Sequence, residues 1–438
     1  MRRIITLSAF VLLAVMASGQ EPRLSHRNAT GLFDGETLEG WVTTGGRYDG
    51  HARWWVDDEQ IVGGQGPGRK GGLLYTAQRY RNFIFSCEVK IDWPFDSGIF
   101  VRMQPEGRGA QVTIDWREGG EIGAIYSDEF LLHNLEAGKS FRKDDWNRFT
   151  VRCVGPSMHL TVWMNGEEIS DYVVPPEKEG FVADGLIGLQ VHPGEASGED
   201  EQVRFRNLFI RELPDFDPAL FACDDHGQLT PTEAARIAGW RPLFDGRSLA
   251  GWEPSTQDAR GYAVQDGVLV FPSQGPAGEL RTERDYRDFE LTVEFKTAYM
   301  CNSGLFLRAS RDGKNAAYSG CEIQILDDFN WEEVSGDTLR PDQFTGGLYG
   351  ALPNPHRDAL RPLGRWNRYD VLYQGSRLRV KLNGIVLYDI DTHELETAKP
   401  PFARRAPSGF IGLQRHAPDQ VEEGAYAWFR NLFIREIP

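Results

Sequence analysis

The stretch FRNLFIRE occurs at Phe205–Glu212 and again, residue for residue, at Phe429–Glu436. A repeat of this kind must be explained before any fold is proposed. Further pairs precede the two copies in the same order: LFDGETLEGW with LFDGRSLAGW, DSGIFVR with NSGLFLR, WNR with WNR, MNG with LNG, and IGLQVH with IGLQRH. The chain is therefore one module of roughly 190 residues written twice. We call the two copies repeat 1 and repeat 2.

The first nineteen residues are predicted to be a secretory signal peptide. Met1-Arg2-Arg3 gives a positive start, Ile4–Met16 an apolar run, and Ala17-Ser18-Gly19 a cleavage site of small residues. The apolar run is too short for a permanent membrane span, and no later stretch is long enough for one. We therefore expect an exported protein, periplasmic or extracellular, with no membrane span.

Charge and cysteine content narrow the possible partners. The formal net charge is −16, and it becomes −18 when the two arginines of the signal peptide are removed. A chain this acidic repels phosphate backbones, so we expect no nucleic acid partner. The five cysteines are odd in number and do not recur at matching positions of the repeats, which argues against a disulfide framework. No P-loop, CxxC, HExxH or GxSxG motif occurs, so we expect no nucleotide cofactor.

Alternating apolar residues predict β-strands in both modules. Every second residue of Phe83–Ile91 is apolar, which is typical of a half-buried antiparallel strand. Asn165-Gly166 and Asn383-Gly384 each predict a tight hairpin turn. The apolar parity changes at Arg206-Asn207, which predicts a β-bulge. Each module is therefore predicted to be an all-β sandwich or jelly roll.

One helix is predicted between the modules. Thr230 is the expected N-cap, with Pro231 at the first helical position, Glu233 at the third and Gly239 as the stop. The predicted organisation is a signal peptide over residues 1–19, a first sandwich over 28–213, a linker with the short helix over 214–239, and a second sandwich over 240–438.

Polar side chains recur at outward positions of three strands in each module. Gln414 and His416 share one side of their strand, as do Gln190 and His192 of theirs. In the strand that begins at Cys321, the outward residues are Glu322 and Gln324, with Asp327 just beyond. The matching strand of repeat 1 offers Gln111, Thr113 and Asp115, and the third strands end in Arg308 and Arg102, on the same parity as a glycine that leaves room for a ligand.

Structural roles compete with functional ones for these residues. Outward Gln and Thr are usually surface residues, and Arg102 and Arg308 could pair with a carboxylate on the next strand. A functional site is favoured only if the strands are neighbours and line one sheet. Glu322, Asp327 and His416 could then hold a divalent cation, although ligation from separate strands leaves no spacing signature. Tyr349 and other aromatic residues beside glycine-rich loops suit stacking on sugar rings.

Together these motifs resemble the 3-keto-disaccharide hydrolase domain, a concanavalin-like jelly roll of secreted bacterial proteins. The resemblance rests on LFDGxxLxGW, NSGLFLR, CEIQILD, the Gly346–Tyr349 turn, RWN, LNG, and IGLQRH followed by FRNLFIRE, and it covers nearly all of the mature chain as two copies. It implies two tandem concanavalin-like jelly-roll sandwiches. It also implies cleavage of glycosides that carry a ketone at C3, by elimination between C2 and C1 and then hydration, with help from a divalent metal (Ca, Mg, Mn or Zn).

On this resemblance the reaction is expected in repeat 2. The catalytic candidates are Glu322, His416 and Asp327; the metal candidates are Glu322 and His416; the substrate-binding candidates are Arg308, Gln324, Gln414, Tyr349, Arg102, Asp115, Gln190 and His192. Repeat 1 departs from the pattern because Gln111 and Thr113 replace Glu322 and Gln324. Three alternatives remain open. Both modules are non-catalytic, lectin-like carbohydrate-binding domains; or repeat 1 alone binds sugar or acts on a different substrate; or repeat 1 docks another exported protein.

Overall fold

The computed structural model describes residues 20–105, 108–117, 119–175, 177–194, 201–256, 261–273, 276–312, 314–395, 398, 400–416 and 425–438. The expected signal peptide lies outside the described residues. Contacts between Cα atoms divide the chain into two units, Met1–Leu213 and Pro214–Pro438. Among the described residues, no helix has the length and apolar character needed to cross a membrane.

The first unit is a sandwich of two antiparallel sheets. Its strands are β1 Thr30–Gly31, β2 Trp41–Val42, β3 Arg53–Asp57, β4 Gln60–Gly64, β5 Gly72–Thr76, β6 Phe83–Ile91, β7 Ser97–Met103, β8 Ala110–Ile114, β9 Ile122–Tyr126, β10 Phe130–Leu132, β11 Asn147–Val154, β12 His159–Met164, β13 Glu167–Val173, β14 Leu186–Val191 and β15 Gln202–Glu212. The back sheet has the order β13-β12-β11-β6-β15-β4-β3, with β1 on β15, and the front sheet has the order β10-β9-β8-β7-β14-β5-β2.

The second unit repeats this plan after a short hairpin. Its strands are β16 Phe221–Cys223, β17 Leu229–Pro231, β18 Arg241–Pro242, β19 Trp252–Pro254, β20 Ala263–Gln265, β21 Val268–Pro272, β22 Gly278–Thr282, β23 Phe289–Thr297, β24 Asn302–Ala309, β25 Cys321–Leu326, β26 Asn367–Gln374, β27 Arg377–Leu382, β28 Ile385–Asp391, β29 Phe410–Arg415 and β30 Ala425–Glu436. The back sheet has the order β20-β21-β30-β23-β26-β27-β28, with β18 on β30, and the front sheet has the order β19-β22-β29-β24-β25. The prediction of two tandem jelly-roll sandwiches is confirmed.

The described residues contain three short α-helices rather than the single predicted one: α1 Glu233–Ile237, α2 Ala316–Ser319 and α3 Trp331–Ser335. The predicted cap of α1 is wrong by two residues. Thr232 is the N-cap, and its side chain accepts a hydrogen bond from the Ala235 amide, whereas Thr230 lies in β17. The hairpin of β16 with β17 uses Thr230 as a strand residue, so the helix can begin only after it.

The core of each sandwich lies between its two sheets. The apolar residues of β6 at alternate positions, Phe83, Phe85, Cys87, Val89 and Ile91, all join the core of repeat 1, as the alternation predicted. Both Asn-Gly hairpins are also confirmed, with positive φ at Asn165 and Asn383. All five cysteines are free thiols, so packing rather than cross-linking holds each sandwich together.

The FRNLFIRE strands lie inside the back sheets. β15 pairs with β6 on one side and β4 on the other, and β30 lies in the same way between β23 and β21. The register of β15 on β6 shifts between Arg206 and Phe209, and Asn207 has φ 52°, so the predicted bulge is confirmed. The bulge lets Arg206 and Asn207 both reach Glu88, at 2.7 and 3.0 Å.

Candidate active site and a second polar face

The polar strands of each repeat are neighbours, as a shared site requires. In repeat 2 the front sheet places β25, β24, β29 and β22 side by side, and in repeat 1 it places β8, β7, β14 and β5 side by side. The sequence could not establish this adjacency. The side chains that point away from the core on these strands therefore share one open face of each front sheet.

A row of polar groups crosses the front sheet of repeat 2 at Gly304. Gly304 is paired with Gln324 on one side, and Leu305 is paired with Leu413 on the other, which puts Gln414 beside Gly304. Adjacent strands lie about 4.8 Å apart, so the two amide side chains flank the glycine. Glu322 belongs to the next row, opposite Phe306.

Glu322 is a buried carboxyl on this face. Its side chain is 3% exposed, and within the described residues its carboxyl makes no hydrogen bond or ion pair. Burial raises the pKa of Glu322 to about 8. A Cβ atom on Gly304 would lie 2.1 Å from Oε1 of Glu322. The carboxyl group therefore lies across the glycine, and the glycine is needed for space rather than for its backbone conformation.

The amides beside Glu322 also lack partners. Oε1 of Gln324 and Oε1 of Gln414 are buried, and neither accepts a hydrogen bond from the described residues. Most buried polar atoms in proteins are hydrogen-bonded, so a cluster of unpartnered ones calls for an explanation. One carboxyl and two amide oxygens facing the same space are suited to binding hydroxyl groups or a cation.

Oxygen donors of this kind fit a hard divalent cation such as Ca²⁺ or Mg²⁺ better than Zn²⁺. Glu322, Gln324 and Gln414 would supply them, and the unpartnered amide oxygens are the observation that favours the fit. In the described part of the chain, this face included, no three His, Cys, Asp or Glu side chains are grouped so that they could hold a metal ion.

Two tyrosines border Glu322. The Tyr349 amide donates to the Glu322 carbonyl at 3.0 Å, and the ring of Tyr349 lies 6.1 Å from the ring of Tyr318. Burial raises the pKa of Tyr318, and Tyr349 and the charge of Glu322 raise it further. Sequence reasoning missed Tyr318, which lies on α2; its place directly between two predicted strands of the site was the available signal.

His416 follows directly after β29, with an exposed side chain. Its carbonyl accepts a hydrogen bond from the Tyr426 hydroxyl at 3.1 Å. It is two residues beyond Gln414 and one residue past the end of β29, and the expectation that its side chain lies on the same side as that of Gln414 stays a prediction. The residues that follow it, 417–424, lie outside the described part of the chain.

The predicted position of the two strand-end arginines on the open face is wrong. Arg308 is bonded to Asp288 at 2.8 Å and to the carbonyls of Tyr373 and Gly375 on the back sheet. Arg102 is bonded in the same way to the carbonyls of Arg81 and Gly155. Each arginine has a positive φ, 52° and 50°, and the pairing with the next strand shifts there. The bulge reverses the parity, so these side chains cross to the back sheet and stabilise it.

Asp327 also lies away from the predicted site. It is fully buried, and its carboxylate accepts hydrogen bonds from the amides of Met300, Phe329 and Asn330. Its position continues the core-facing parity of Ile323 and Ile325, one residue past the end of β25. Asp327 therefore closes the loop after β25, and a direct catalytic role for it is excluded by position.

Repeat 1 has the same arrangement of strands, but its amide side chains are hydrogen-bonded to each other. Gln111 donates to Oε1 of Gln190 at 2.8 Å, across Gly98, where a Cβ atom would lie 2.3 Å from Nε2 of Gln111. Gln111 occupies the position of Glu322, and Gln190 that of Gln414. Gln414 has an oxygen without a partner in the described residues of repeat 2, whereas the equivalent oxygen of Gln190 in repeat 1 accepts a hydrogen bond from Gln111.

The carboxylates of repeat 1 lie at the end of the face, in a cluster held by Arg117. Nη2 of Arg117 is 2.7 Å from Asp96 and 2.8 Å from Asp115. Nδ1 of His192 is 3.4 Å from Oδ2 of Asp96. The structure therefore brings together the predicted Asp115, Gln190 and His192. Asp96 and Arg117 were missed, although the change from NSG in repeat 2 to DSG in repeat 1 was a signal for Asp96.

The two carboxylates of this cluster titrate differently. Burial, followed by the negative charge of Asp115, raises the pKa of Asp96 to about 7 despite the contact with Arg117. Burial also acts to raise the pKa of Asp115, but the hydrogen bonds and charge of Arg117 outweigh it and the pKa is lowered. Burial and the charge of Arg117 lower the pKa of His192. Near neutral pH the cluster thus holds one ionised and one partly protonated carboxyl.

Both repeats match one family, and the chain belongs to it: the 3-keto-alpha-glucoside-1,2-lyase-like domain matches residues 28–211 and 239–435. The chain is similar to a 3-keto-disaccharide hydrolase of Bacteroides thetaiotaomicron, with 26% identity over 239 residues, which are 45% of this chain and 79% of that protein. Two solved structures from Parabacteroides distasonis, both of candidate glycosyl hydrolases, are also similar. One has 24% identity and TM-score 0.41 and covers 48% of this chain and 99% of its own; the other has 29% identity and TM-score 0.39 and covers 45% and 99%.

Proposed function

We propose that this protein is an exported enzyme that cleaves 3-keto-glycosides, and that the reaction takes place on the front sheet of repeat 2. The observation that carries the proposal is Glu322, a buried carboxyl without a partner, with a pKa of about 8. The family and the name of the Bacteroides thetaiotaomicron relative favour 3-keto saccharides as the substrate class. A base with a pKa near the working pH is well suited to remove a carbon-bound proton.

The first step uses the acidity that the C3 ketone gives to the C2 proton. Glu322, in its ionised form, takes that proton, and the electron pair of the C2–H bond forms the enolate across C2 and C3. Gln324 and Gln414 hold the ring through its hydroxyl groups, with oxygens that lack another partner in the described residues. If Glu322, Gln324 and Gln414 held a divalent cation instead, the cation would supply Lewis-acid polarisation of the ketone, and these oxygens would not act on the C2 proton or on the hydroxyl groups.

The second step breaks the bond between C1 and the leaving oxygen. The enolate pair moves to form the C1–C2 double bond, the ketone re-forms at C3, and the leaving oxygen takes a proton. His416 is the proposed donor of that proton, since it follows Gln414 on the same parity and is exposed. Addition of water across C1 and C2 then completes a net hydrolysis.

The test is aglycone release from a chromogenic 3-keto-glucoside, measured after removal of metal with chelator and after addition of Mg²⁺, Ca²⁺ or Mn²⁺. We expect release of the chromophore from the keto-sugar and none from the matching glucoside, which lacks the acidified proton. Absence of release with every metal would refute the proposal. Saccharide binding without turnover would instead favour the lectin-like alternative.

Export is a separate part of the proposal. It rests on the positive start, apolar run and small-residue site of residues 1–19. Expression of the full-length gene product in a bacterial host, followed by N-terminal sequencing of the mature chain, should give Gln20 as the first residue. An intact Met1 on the purified protein would contradict it.

A further inference from the structure

A large cavity lies on the front sheet of repeat 1. Its volume is about 710 Å³, and the Gln111–Gln190 pair and the Asp96, Asp115 and His192 cluster line it. Ligand sites of small molecules are usually clefts of about 300 to 1,000 Å³ with a few polar groups in fixed positions. The size of the cavity therefore suits one or two sugar rings.

Aromatic rings stand on both sides of this cavity. Tyr48 packs edge-on against Phe100, with ring centroids 5.9 Å apart, and Phe130 packs edge-on against Tyr126 at 5.3 Å. Phe100 lies on β7, whereas Tyr126 and Phe130 lie on β9 and β10 at the far edge of the same sheet. Aromatic faces stack on the C–H surfaces of sugars.

The outer ring of each pair remains open to solvent. Tyr48 is 42% exposed and Phe130 is 37% exposed. Tyr48 is nevertheless held in place, because its amide donates to the Tyr75 hydroxyl at 3.0 Å and its carbonyl accepts from the Leu73 amide at 3.3 Å. Fixed but exposed aromatic rings at a polar cavity mark a binding surface rather than incomplete core packing.

The surface between the two rings is polar, and most of its side chains are paired with each other by hydrogen bonds or opposite charges. The Gln111–Gln190 hydrogen bond fixes both amides and leaves Oε1 of Gln111 and the Nε2 protons of Gln190 for a ligand. Arg117 is neutralised by Asp96 and Asp115, and Arg47 at the edge is paired with Asp128 at 2.7 Å. Lys70 and Asp49 also line the cavity and have opposite charges. The lining therefore has little net charge and offers little attraction to an anionic sugar.

We propose that repeat 1 is a second saccharide site, separate from the reaction centre of repeat 2, which binds a neutral pyranose between the Tyr48 and Phe130 rings with its hydroxyl groups on Gln111, Gln190 and the Asp96 cluster. Glu322 has no counterpart there, since Gln111 occupies its position. Repeat 1 therefore lacks the base proposed for repeat 2, and we expect it to bind a sugar without cleaving it. This site does not depend on the reaction proposed for repeat 2.

The test uses the full chain with Glu322→Gln, so that no probe is consumed. Calorimetric titration with maltose, cellobiose and trehalose, and with the 3-keto form of each, measures binding. We expect at least one probe to bind, and Tyr48→Ala and Phe130→Ala each to weaken that binding about tenfold. Both rings are exposed, so their removal should leave the melting temperature nearly unchanged.

Tyr318→Ala is the matched control, because Tyr318 is 38% exposed and borders Glu322 in repeat 2. It should leave binding at the repeat 1 site unchanged. The proposal is overturned if no probe binds, or if binding survives both repeat 1 substitutions and is lost with Tyr318→Ala. Binding that is lost with Tyr48→Ala in a chain that shows no turnover on any substrate would support this site while the reaction proposed for repeat 2 fails.

Discussion

In repeat 1 the residue opposite Phe100 is Gln111, and its amide is bonded to Gln190; in repeat 2 the residue opposite Phe306 is Glu322, and its carboxyl has no partner in the described residues. The two backbones share the same strand order around these positions. The difference shows that the same arrangement of strands can support two states of its polar side chains. They are hydrogen-bonded to each other in repeat 1, and in repeat 2 they lack partners among the described residues and are available to a ligand. Which of the two occurs depends on two positions of one strand, where repeat 1 has Gln111 and Thr113 and repeat 2 has Glu322 and Gln324.

At the ends of these strands the carboxylates are in repeat 1 rather than in repeat 2. Repeat 1 has Asp96 and Asp115 there, whereas the equivalent residues of repeat 2 are Asn302 and Leu326, which pair with each other. Repeat 2 gains Glu279, which pairs with Gln414, in a position that Leu73 fills in repeat 1. The two front sheets thus keep the order of their shared strands, while their ionisable groups lie at different positions.

The largest difference between the repeats should be in turnover, when one carboxylate is removed from each repeat in turn. Glu322→Gln should lower kcat by about 10² to 10⁴, because general base catalysis contributes that much. Asp115→Asn should lower it less than about tenfold. Steady-state kinetics on a 3-keto-glucoside would measure both. Loss of activity with Asp115→Asn but not with Glu322→Gln would place the reaction in repeat 1.

The second difference concerns the FRNLFIRE ion pairs, which have the same geometry and different burial. Nε of Arg206 is 2.7 Å from Glu88 with the side chains 39% and 25% exposed; Nε of Arg430 is 2.7 Å from Glu294 with the side chains 6% and 3% exposed. Glu294→Gln should destabilise by about 3–5 kcal/mol, because it leaves a buried charge uncompensated. Glu88→Gln should cost about 1 kcal/mol or less.

Chemical denaturation would measure both variants. The carbonyl of His226 accepts from Arg430, and the carbonyl of Gly227 accepts from the Asn431 side chain. The linker segment therefore covers the Arg430–Glu294 pair in repeat 2. If Glu294→Gln and Glu88→Gln lowered the free energy of unfolding equally, the linker would not exclude water from that pair.

The third prediction is the pH dependence that follows from the pKa of about 8 at Glu322. Only ionised Glu322 is a base, so kcat/KM in chelator should fall about tenfold per pH unit below that pKa. The free energy of unfolding should change in the opposite direction to kcat/KM, and be larger at low pH than at high pH. The pKa of an unfolded glutamate is about 4.3. Between that pH and pH 8, the folded chain keeps a proton on Glu322 that the unfolded chain releases. The free energy of unfolding therefore falls as pH rises.

Glu322→Gln should remove the part of that fall that comes from Glu322 and leave the part that comes from Asp96, whose pKa is also raised, to about 7. Asp115→Asn should not remove the Glu322 part. Asp115 has a lowered pKa, so its ionised form stabilises the fold, and the contribution is lost only in acid, as pH falls through the folded pKa. Melting curves of the three proteins from pH 4 to 9 would separate the cases. A wild-type melting temperature that is flat across the window would contradict the raised pKa of Glu322.

The smallest predicted effect comes from the glycines under these side chains. A Cβ on Gly304 would displace Glu322, so Gly304→Ala should reduce kcat about tenfold by misplacing the base. Gly98→Ala should displace Gln111 and leave turnover at repeat 2 unchanged. In both cases the clash is with the end of a side chain, so melting temperatures should change little. A full loss of folding in either variant would show that the crossing side chains cannot move.

Much of this fold was predictable because its signals are local. The internal repeat, the alternation in β6, the Asn-Gly turns and the bulge at Arg206-Asn207 are each written in a few adjacent residues. The site was only partly predictable. Strand parity correctly put Glu322, Gln324 and Gln414 on one side, but it failed at Arg102 and Arg308, because a residue with positive φ in a bulge reverses the parity and neither arginine has a sequence signal for it.

Burial explains the remaining misses. Asp327 was selected for its charge, yet a carboxylate that accepts three backbone amides is satisfied where it stands. Asp96 and Arg117 were overlooked because their contact joins the start of β7 to the loop after β8, and the sequence gives no measure of that distance. Contacts between distant segments, rather than residue types, decided which candidates could act.

The identical FRNLFIRE strands also have a consequence for how the chain folds. Each lies between two partners inside a back sheet, so during folding either copy offers the same edge to the strands that await the other. Tandem repeats misassemble through such exchanges. Synthesis from the N-terminus lets β15 close its sandwich before β30 exists, whereas refolding from denaturant does not. We expect the full chain to refold with a lower yield than either repeat alone, and equal yields would show that the neighbouring strands already discriminate between the two copies.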